Sequence, residues 1–225
     1  MVRGGPEEVE RLQREVERAL SVKLDVDRTL GLLARLARAA SPGSDAWLFA
    51  HRYLAELGVE REPWRASLFA RRVLALDPTD DGAWAVLGLA QSLLGNHRYA
   101  VRSYRRALAL APHNPWYAHN LGHLVDVALD RPQDALPLLS RATEAQPGEP
   151  EIAASYAHAL ARCGMVVQAK KILKRAIRHG ATADQMALWR WLDAGAPPCG
   201  SAPAPSEPKR KPKRRRSRER QGLVE

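Results

Sequence analysis

Residues 84–112 read WAVLGLAQSLLGNHRYAVRSYRRALALAP. The segment contains two stretches in which apolar residues recur at helical spacing, one on each side of Gly95-Asn96. A Gly-Asn pair favours a turn. Pro112 pushes the residue before it out of the helical region of backbone conformation. The segment therefore predicts two helices joined by a tight turn, with the second helix ending just before Pro112.

The same pattern occurs four times along the chain. The aligned small residues fall at steps of 34, 35 and 34 residues, and they are Ala66, Ala100, Ala135 and Ala169. The first copy has three additional residues within 58–64, and the third copy has one near 130–133. Both additions are expected in the turn between two helices. Because one helix pair cannot bury its apolar face alone, four copies predict a stacked array with a continuous core.

The second copy resembles the tetratricopeptide consensus in order and spacing. The matching residues are Trp84-x-x-Leu87-Gly88, then Ala100-x-x-x-Tyr104-x-x-Ala107, then Pro112. The copy departs from the consensus where Gln91 replaces the usual Tyr and where Tyr104 replaces the usual Phe. The resemblance implies an all-α fold, a right-handed superhelical solenoid of tetratricopeptide-type helix pairs with flanking cap helices.

The limits of each part follow from the pattern and from changes in composition. Residues 1–42 are expected to form an N-terminal helical cap or a degenerate repeat. The four repeats are expected within 43–181, at about 44–80, 81–114, 115–149 and 150–181. Residues 182–194 are expected to form a C-terminal capping helix, and residues 195–225 a disordered, Pro/Ala-rich and basic tail.

In the tetratricopeptide family the first helix of each pair lines a concave groove that receives a peptide or a helix. The resemblance implies such a groove here, apolar near the second repeat and rich in imidazole towards the third and fourth. An apolar anchor beside hydrogen-bonding groups suits an extended or helical peptide. The residues assigned to the partner-binding groove are Phe49, Arg52, Val86, Leu89, Trp116, His119, Asn120, His123, Ser155, His158 and Arg162.

Some family members clamp a terminal carboxylate with Lys, Asn and Arg at fixed groove positions. Asn120 falls at one of these positions. The preceding repeat has Ala85 and Leu89 where a basic residue and an amide are needed. A carboxylate clamp is therefore not favoured.

The groove histidines have a second interpretation. His119 and His123 are four residues apart and share one helical face, with His158 expected beside them and Asp126 one turn further along. Imidazole and carboxylate ligands could form a metal site. Peptide binding by exposed histidines is the commoner use, so neither a metal nor any other cofactor is assigned.

The sequence contains no Gly-rich phosphate loop, no nucleophile elbow and no His-Glu-x-x-His helix. We therefore expect a non-catalytic protein. Cys163 and Cys199 are expected to be free thiols, because no Cys-x-x-Cys or Cys/His spacing surrounds them. No apolar run approaches the roughly 18 residues of a membrane span, and the first ten residues lack a signal-peptide pattern, so the expected location is cytoplasmic.

Positive charge is concentrated near the end of the chain. Of the formal net charge of +10, residues 207–220 carry +7 and residues 1–206 carry +4, with Glu225 contributing −1. Such a run attracts nucleic-acid phosphates, an anionic membrane or an acidic partner, and it also resembles a nuclear-import signal. A nucleic-acid-associated adaptor anchored by this tail is the alternative function. The basic residues are Lys209, Arg210, Lys211, Lys213, Arg214, Arg215, Arg216, Arg218 and Arg220.

Overall fold

The computed structural model describes residues 4–196, which form eleven α-helices in series and contain no strand. The helices are α1 (Pro6–Ser21), α2 (Val26–Ala39), α3 (Asp45–Gly58), α4 (Pro63–Leu76), α5 (Asp81–Leu93), α6 (His97–Leu110), α7 (Pro115–His123), α8 (Pro132–Ala145), α9 (Pro150–Arg162), α10 (Val166–Ala176) and α11 (Ala183–Asp193). A π turn (Leu124–Ala128) continues α7, and a short 3-10 helix (Ile177–His179) continues α10.

Local sequence explains where the helices begin. Asp80 Oδ1 accepts a hydrogen bond from the Ala83 N–H (2.7 Å), and Asn114 Oδ1 accepts one from the Trp116 N–H (3.0 Å). These bonds satisfy amide groups that have no partner within the helix. Five of the described helices begin with proline, which is tolerated where no intrahelical N–H is needed; these residues are Pro6, Pro63, Pro115, Pro132 and Pro150.

The four repeats are the antiparallel pairs α3/α4, α5/α6, α7/α8 and α9/α10, and they stack into a right-handed superhelical solenoid. The two helices of a pair approach closely where glycine faces a large side chain. A Cβ atom on Gly88 would lie 2.8 Å from Tyr104 Cδ1, and one on Gly122 would lie 2.7 Å from Leu139 Cγ. These distances explain why the small and large residues of the repeat pattern occur together.

Both ends of the solenoid are covered by flanking helices. At the amino end, α1 and α2 pack against α3 through a buried cluster that includes Leu12, Leu33 and Leu54. At the carboxyl end, α11 packs against α9 and α10 and buries Leu192 with Leu173. Within residues 4–196 no helix is both long and apolar enough to cross a bilayer.

The additional residue of the third repeat lies inside its first helix, and the expectation that it lies in the turn was wrong. In the π turn, the Leu129 N–H donates to the Leu124 carbonyl oxygen (3.2 Å), and the Arg131 N–H donates to the Val125 carbonyl oxygen (3.0 Å). A π turn holds one more residue than an α-helical turn. Helix α8 therefore begins in the regular register. Of the three additional residues of the first repeat, one lies in the turn between α3 and α4, and the other two lengthen the end of α3.

Candidate functional site

The face formed by the first helices of the repeats contains a cavity of about 770 Å³. Helices α5, α7 and α9 form its floor, with a contribution from α6, and the first turns of α11 form a wall at its carboxyl end. The lining residues are Leu89, Ser92, Tyr104, His119, Asn120, His123, Leu124, Val127, Ala128, Glu151, Ala154, Ser155, His158, Thr182, Asp184, Gln185 and Leu188.

Part of the cavity is apolar. Leu89 from α5, Leu124 and Val127 from the π turn and Leu188 from α11 contribute aliphatic side chains from three separate elements. Val127 is strongly exposed although it is apolar. Aliphatic surface that converges in a concavity favours an apolar side chain as occupant.

A chain of hydrogen bonds joins the polar lining. The His119 Nδ1–H donates to Asn120 Oδ1 (3.1 Å), so His119 Nε2 accepts the hydroxyl proton of Ser155 (2.9 Å). The same hydroxyl oxygen accepts from His123 Nδ1 at 3.4 Å. The rings of His119 and His123 are stacked with centroids 6.0 Å apart. These side chains are held in place before any partner arrives.

The surroundings of the two imidazoles lower their pKa values. Burial lowers the pKa of His119, partly offset by its hydrogen bond to Asn120. His123 opens onto the cavity, where loss of surrounding water lowers its pKa, as does the neighbouring His119. Both rings are therefore neutral at neutral pH. A neutral imidazole offers one donor and one acceptor, which suits recognition of uncharged peptide groups.

Acidification should destabilise the fold through the buried His119. Its folded-state pKa lies below the ordinary value of 6.5, so as the pH falls the unfolded chain takes up a proton at this residue before the folded chain does. The free energy of unfolding is expected to be fully maintained above pH 6.5 and to fall as the pH drops from there towards the folded-state pKa. Urea denaturation across this pH range measures the slope. His119→Gln should reduce the slope, whereas His113→Gln at an exposed turn position should not; an unchanged slope in His119→Gln would contradict the assignment.

A buried ion pair lies beside the cavity. Asp126, in the π turn, accepts from Arg162 Nη1 (2.7 Å) and from His158 Nδ1 (2.6 Å). The side chains of Asp126 and Arg162 are 1% and 7% exposed. The His158 ring stacks on Trp191 of α11 with centroids 5.7 Å apart. The π turn, α9 and α11 are thus tied together at one point, which fixes the wall of the cavity.

The described residues do not favour the metal interpretation. Among residues 4–196, no group of three or more His, Cys, Asp or Glu side chains is arranged to hold a metal ion. Both nitrogens of His119 have hydrogen-bond partners, and His158 Nδ1 is bound to Asp126. The imidazoles therefore act as hydrogen-bonding groups in this arrangement.

The structure brings part of the predicted groove together in this cavity. The predicted residues that line it are Leu89, His119, Asn120, His123, Ser155 and His158. Arg52 and Val86 instead line a smaller hollow of about 270 Å³, where Arg52 is paired with Asp77 (3.1 Å) and with Asp80.

The remaining predicted groove residues lie in other environments. Phe49 packs against Tyr53 (ring centroids 4.9 Å apart) and the amino-terminal core cluster. Trp116 contacts the buried cluster around Ile152. Arg162 is held by the ion pair with Asp126 described above and by a second one with Asp130. The basic tail residues from Lys209 to Arg220, and also Cys199, lie outside the described part of the chain, whereas Cys163 carries a free thiol.

The contribution of α11 to the cavity was not predicted. Thr182 Oγ1 accepts from the Gln185 N–H (3.2 Å), and Gln185 Oε1 accepts from the Thr182 N–H (3.0 Å). This capping box fixes the first turn of α11, which also carries Asp184 into the lining. The apolar pattern of residues 183–193 indicated a capping helix. The pattern carried no information on which end of that helix would meet the groove.

Comparison with known proteins agrees with this architecture. Residues 126–188 match the family model of the tetratricopeptide repeat. The match runs from the π turn of the third repeat to α11, and it agrees with the resemblance that the spacing of the four copies indicated. No curated protein matches the chain.

Several solved structures share the fold. PilF of Pseudomonas aeruginosa is 19% identical with a TM-score of 0.68, and the alignment covers 84% of each chain. The MamA protein is 18% identical with a TM-score of 0.63, covering 77% of this chain and 92% of its own. YrrB, described as a tetratricopeptide-repeat protein with an unusual peptide-binding site, is 21% identical with a TM-score of 0.58, covering 72% and 82%. Identities this low show a common fold alone.

Proposed function

We propose that this chain is a non-catalytic scaffold that captures a segment of a partner protein in the cavity between α5, α7, α9 and α11. The observation that carries the proposal is the cavity itself, because it combines converging aliphatic side chains with positioned hydrogen-bonding groups. That combination suits peptide capture, in which apolar side chains supply affinity and polar groups fix orientation.

The lining indicates what kind of segment fits. One or two apolar side chains would pack among Leu89, Leu124 and Leu188, and each would contribute about 1.5–3 kcal/mol. The peptide backbone or short polar side chains would hydrogen bond to His123 and Ser155 at the rim. Because α11 forms a wall at one end, the rest of the segment would leave towards α5. The peptide-binding site ascribed to YrrB gives one precedent for this fold.

Filling the cavity should weaken capture without disturbing the fold. Ala154 lines the cavity from α9 and is half-buried. Ala154→Trp is expected to displace one apolar anchor and so to lower partner affinity about ten- to a hundredfold. Affinity purification with quantitative mass spectrometry identifies the partner recovered by the unsubstituted chain and measures its loss.

The matched control is Ala109→Trp, at an exposed position on α6 away from the cavity. It should retain the partner, and both variants should keep their helical circular dichroism. Equal recovery of the same partner with Ala154→Trp and with the unsubstituted chain would show that the cavity is not the binding site.

The alternative of a nucleic-acid-associated adaptor depends on the nine Lys and Arg residues between 209 and 220, which lie outside the described residues. It stays a prediction from the sequence. A tail of this charge would act alongside capture in the cavity, because the two use different parts of the chain.

A further inference from the structure

In three of the four repeats, charge is segregated between the two helices; in the third repeat, the second helix α8 contains Asp134 and Glu144 and one basic residue, Arg141. The second helices α4, α6 and α10 contain eleven Lys or Arg residues and no Asp or Glu. The first helices α3, α5, α7 with its π turn, and α9 contain five Asp or Glu residues and two Arg. The net charge of +4 on residues 1–206 therefore conceals three strongly basic second helices, α4, α6 and α10.

Three positions of each second helix, nearly all of them exposed, lie in register across the repeats. These positions are two before, two after and five after the aligned alanine, so they follow the i, i+4, i+7 spacing of a single helical face. We call them the outer stripe; its members are Trp64, Leu68, Arg71, Arg98, Arg102, Arg105, Gln133, Pro137, Ser140, Val167, Lys171 and Lys174. All are exposed except Ser140, which is half-buried.

The outer stripe combines cations with large apolar side chains. Six of its twelve members are Lys or Arg and none is acidic. None of these six cations forms an ion pair with another residue of the described chain. Trp64, Leu68 and Val167 are 56%, 44% and 86% exposed. Unpaired cations beside exposed aliphatic and indole surface are typical of an interaction surface.

We propose that the outer stripe binds the surface of an anionic lipid bilayer. Lipid headgroups attract the cations, and each Lys or Arg near such a surface raises the affinity about fivefold. The interfacial region also accepts the indole of Trp64 and the aliphatic side chains of Leu68 and Val167. Nucleic-acid phosphates would engage the cations and leave these aliphatic side chains in water. Binding to a lipid surface therefore explains both the cations and the exposed apolar side chains of the outer stripe, whereas binding to nucleic acid explains only the cations.

This attachment would orient the whole solenoid. The outer stripe is on the second helices, whereas the cavity is lined mainly by the first helices. A chain attached through the outer stripe therefore presents its cavity away from the membrane. Lipid binding and partner capture use different residues, so either can fail in an experiment while the other is retained.

Reversing charge within the stripe tests the proposal in the full-length chain. Flotation with phosphatidylcholine vesicles, with and without phosphatidylserine, measures lipid binding. The triple variant Arg98→Glu, Arg102→Glu, Arg105→Glu is expected to weaken binding to the anionic vesicles about a hundredfold or more. Trp64→Ser combined with Leu68→Ser should weaken binding to the anionic vesicles and leave binding to duplex DNA unchanged.

The matched control reverses three exposed arginines of α1, as Arg11→Glu, Arg14→Glu and Arg18→Glu. It changes the net charge equally and should keep vesicle binding, and the basic tail is the same in every variant. Failure of the unsubstituted chain to bind anionic vesicles, or full binding by the α6 variant, would overturn the proposal. The α6 variant could also lose binding to duplex DNA and keep binding to vesicles. That result would assign the outer stripe to nucleic acid and would overturn the lipid proposal.

Discussion

Replacing Asp126 with Asn is expected to lower the free energy of unfolding by about 3 kcal/mol. Asp126 is the buried carboxylate that faces Arg162, and both side chains are withdrawn from water. The substitution keeps the shape of the side chain and removes its charge, so the guanidinium of Arg162 stays buried while its main counterion is lost. Loss of the buried counterion is costly because the remaining pairing with the exposed Asp130 does not replace the solvation that the guanidinium lost on burial. Urea denaturation followed by far-UV circular dichroism measures the change.

Asp130→Asn is the matched control for this prediction. Asp130 also pairs with Arg162, but its side chain is 83% exposed, and an exposed ion pair contributes at most about 1 kcal/mol. Asn also tolerates the positive φ angle of this position (55°). If both substitutions cost the same, the buried pair does not stabilise the π turn in the way described.

The second large effect concerns the crossing of α7 and α8. Leu139 is fully buried against Gly122, and Leu139→Ala is expected to cost about 3 kcal/mol through lost contacts and the cavity left behind. Gly122→Val is expected to cost about 1–3 kcal/mol, because its new side chain would overlap Leu139. The double variant should cost less than the sum of the two, since each substitution makes room for the other. Urea denaturation of all four proteins measures this coupling.

Gly31→Val provides the control for backbone effects. Gly31 lies within α2, and no atom would contact an added Cβ within 4 Å. Valine has a slightly better helix propensity than glycine, so this variant should be neutral or slightly more stable. An equal loss of stability at Gly31 and Gly122 would show that helix propensity, and not contact with Leu139, limits position 122.

The repeat period alone was sufficient to predict the helix pairs. The aligned alanines, such as Ala100 and Ala135, are fully buried where two helices pack together, so a small residue is required at each period and the period is visible in the sequence. The position of the π turn left no such signal. Residues 124–128 read LVDVA, and their apolar spacing fits an α-helix as well as a π turn. Within the π turn, Asp126 is buried, and its partners Arg162 and His158 belong to the fourth repeat.

The candidate site was predictable to a smaller extent. Positions such as His119 and Ser155 follow from the repeat register, since the register sets which face of the first helix a residue occupies. The wall formed by α11 depends on how that helix lies across α9, which is determined by long-range packing through Leu192 and by the stacking of Trp191 on His158. The basic outer stripe is visible in the sequence only after the repeats are superimposed, because the overall charge of residues 1–206 averages it away.

The π turn bears on how such arrays change length over evolutionary time. An inserted residue that rotated the rest of α7 and then α8 would turn Leu139 away from Gly122 and misalign every later repeat. Here the five residues of the π turn accommodate the additional residue, and the chain that follows keeps its register. One repeat can therefore be a residue longer than its neighbours while the neighbouring repeats keep their register, so the length of a repeat is not fixed by the stacking.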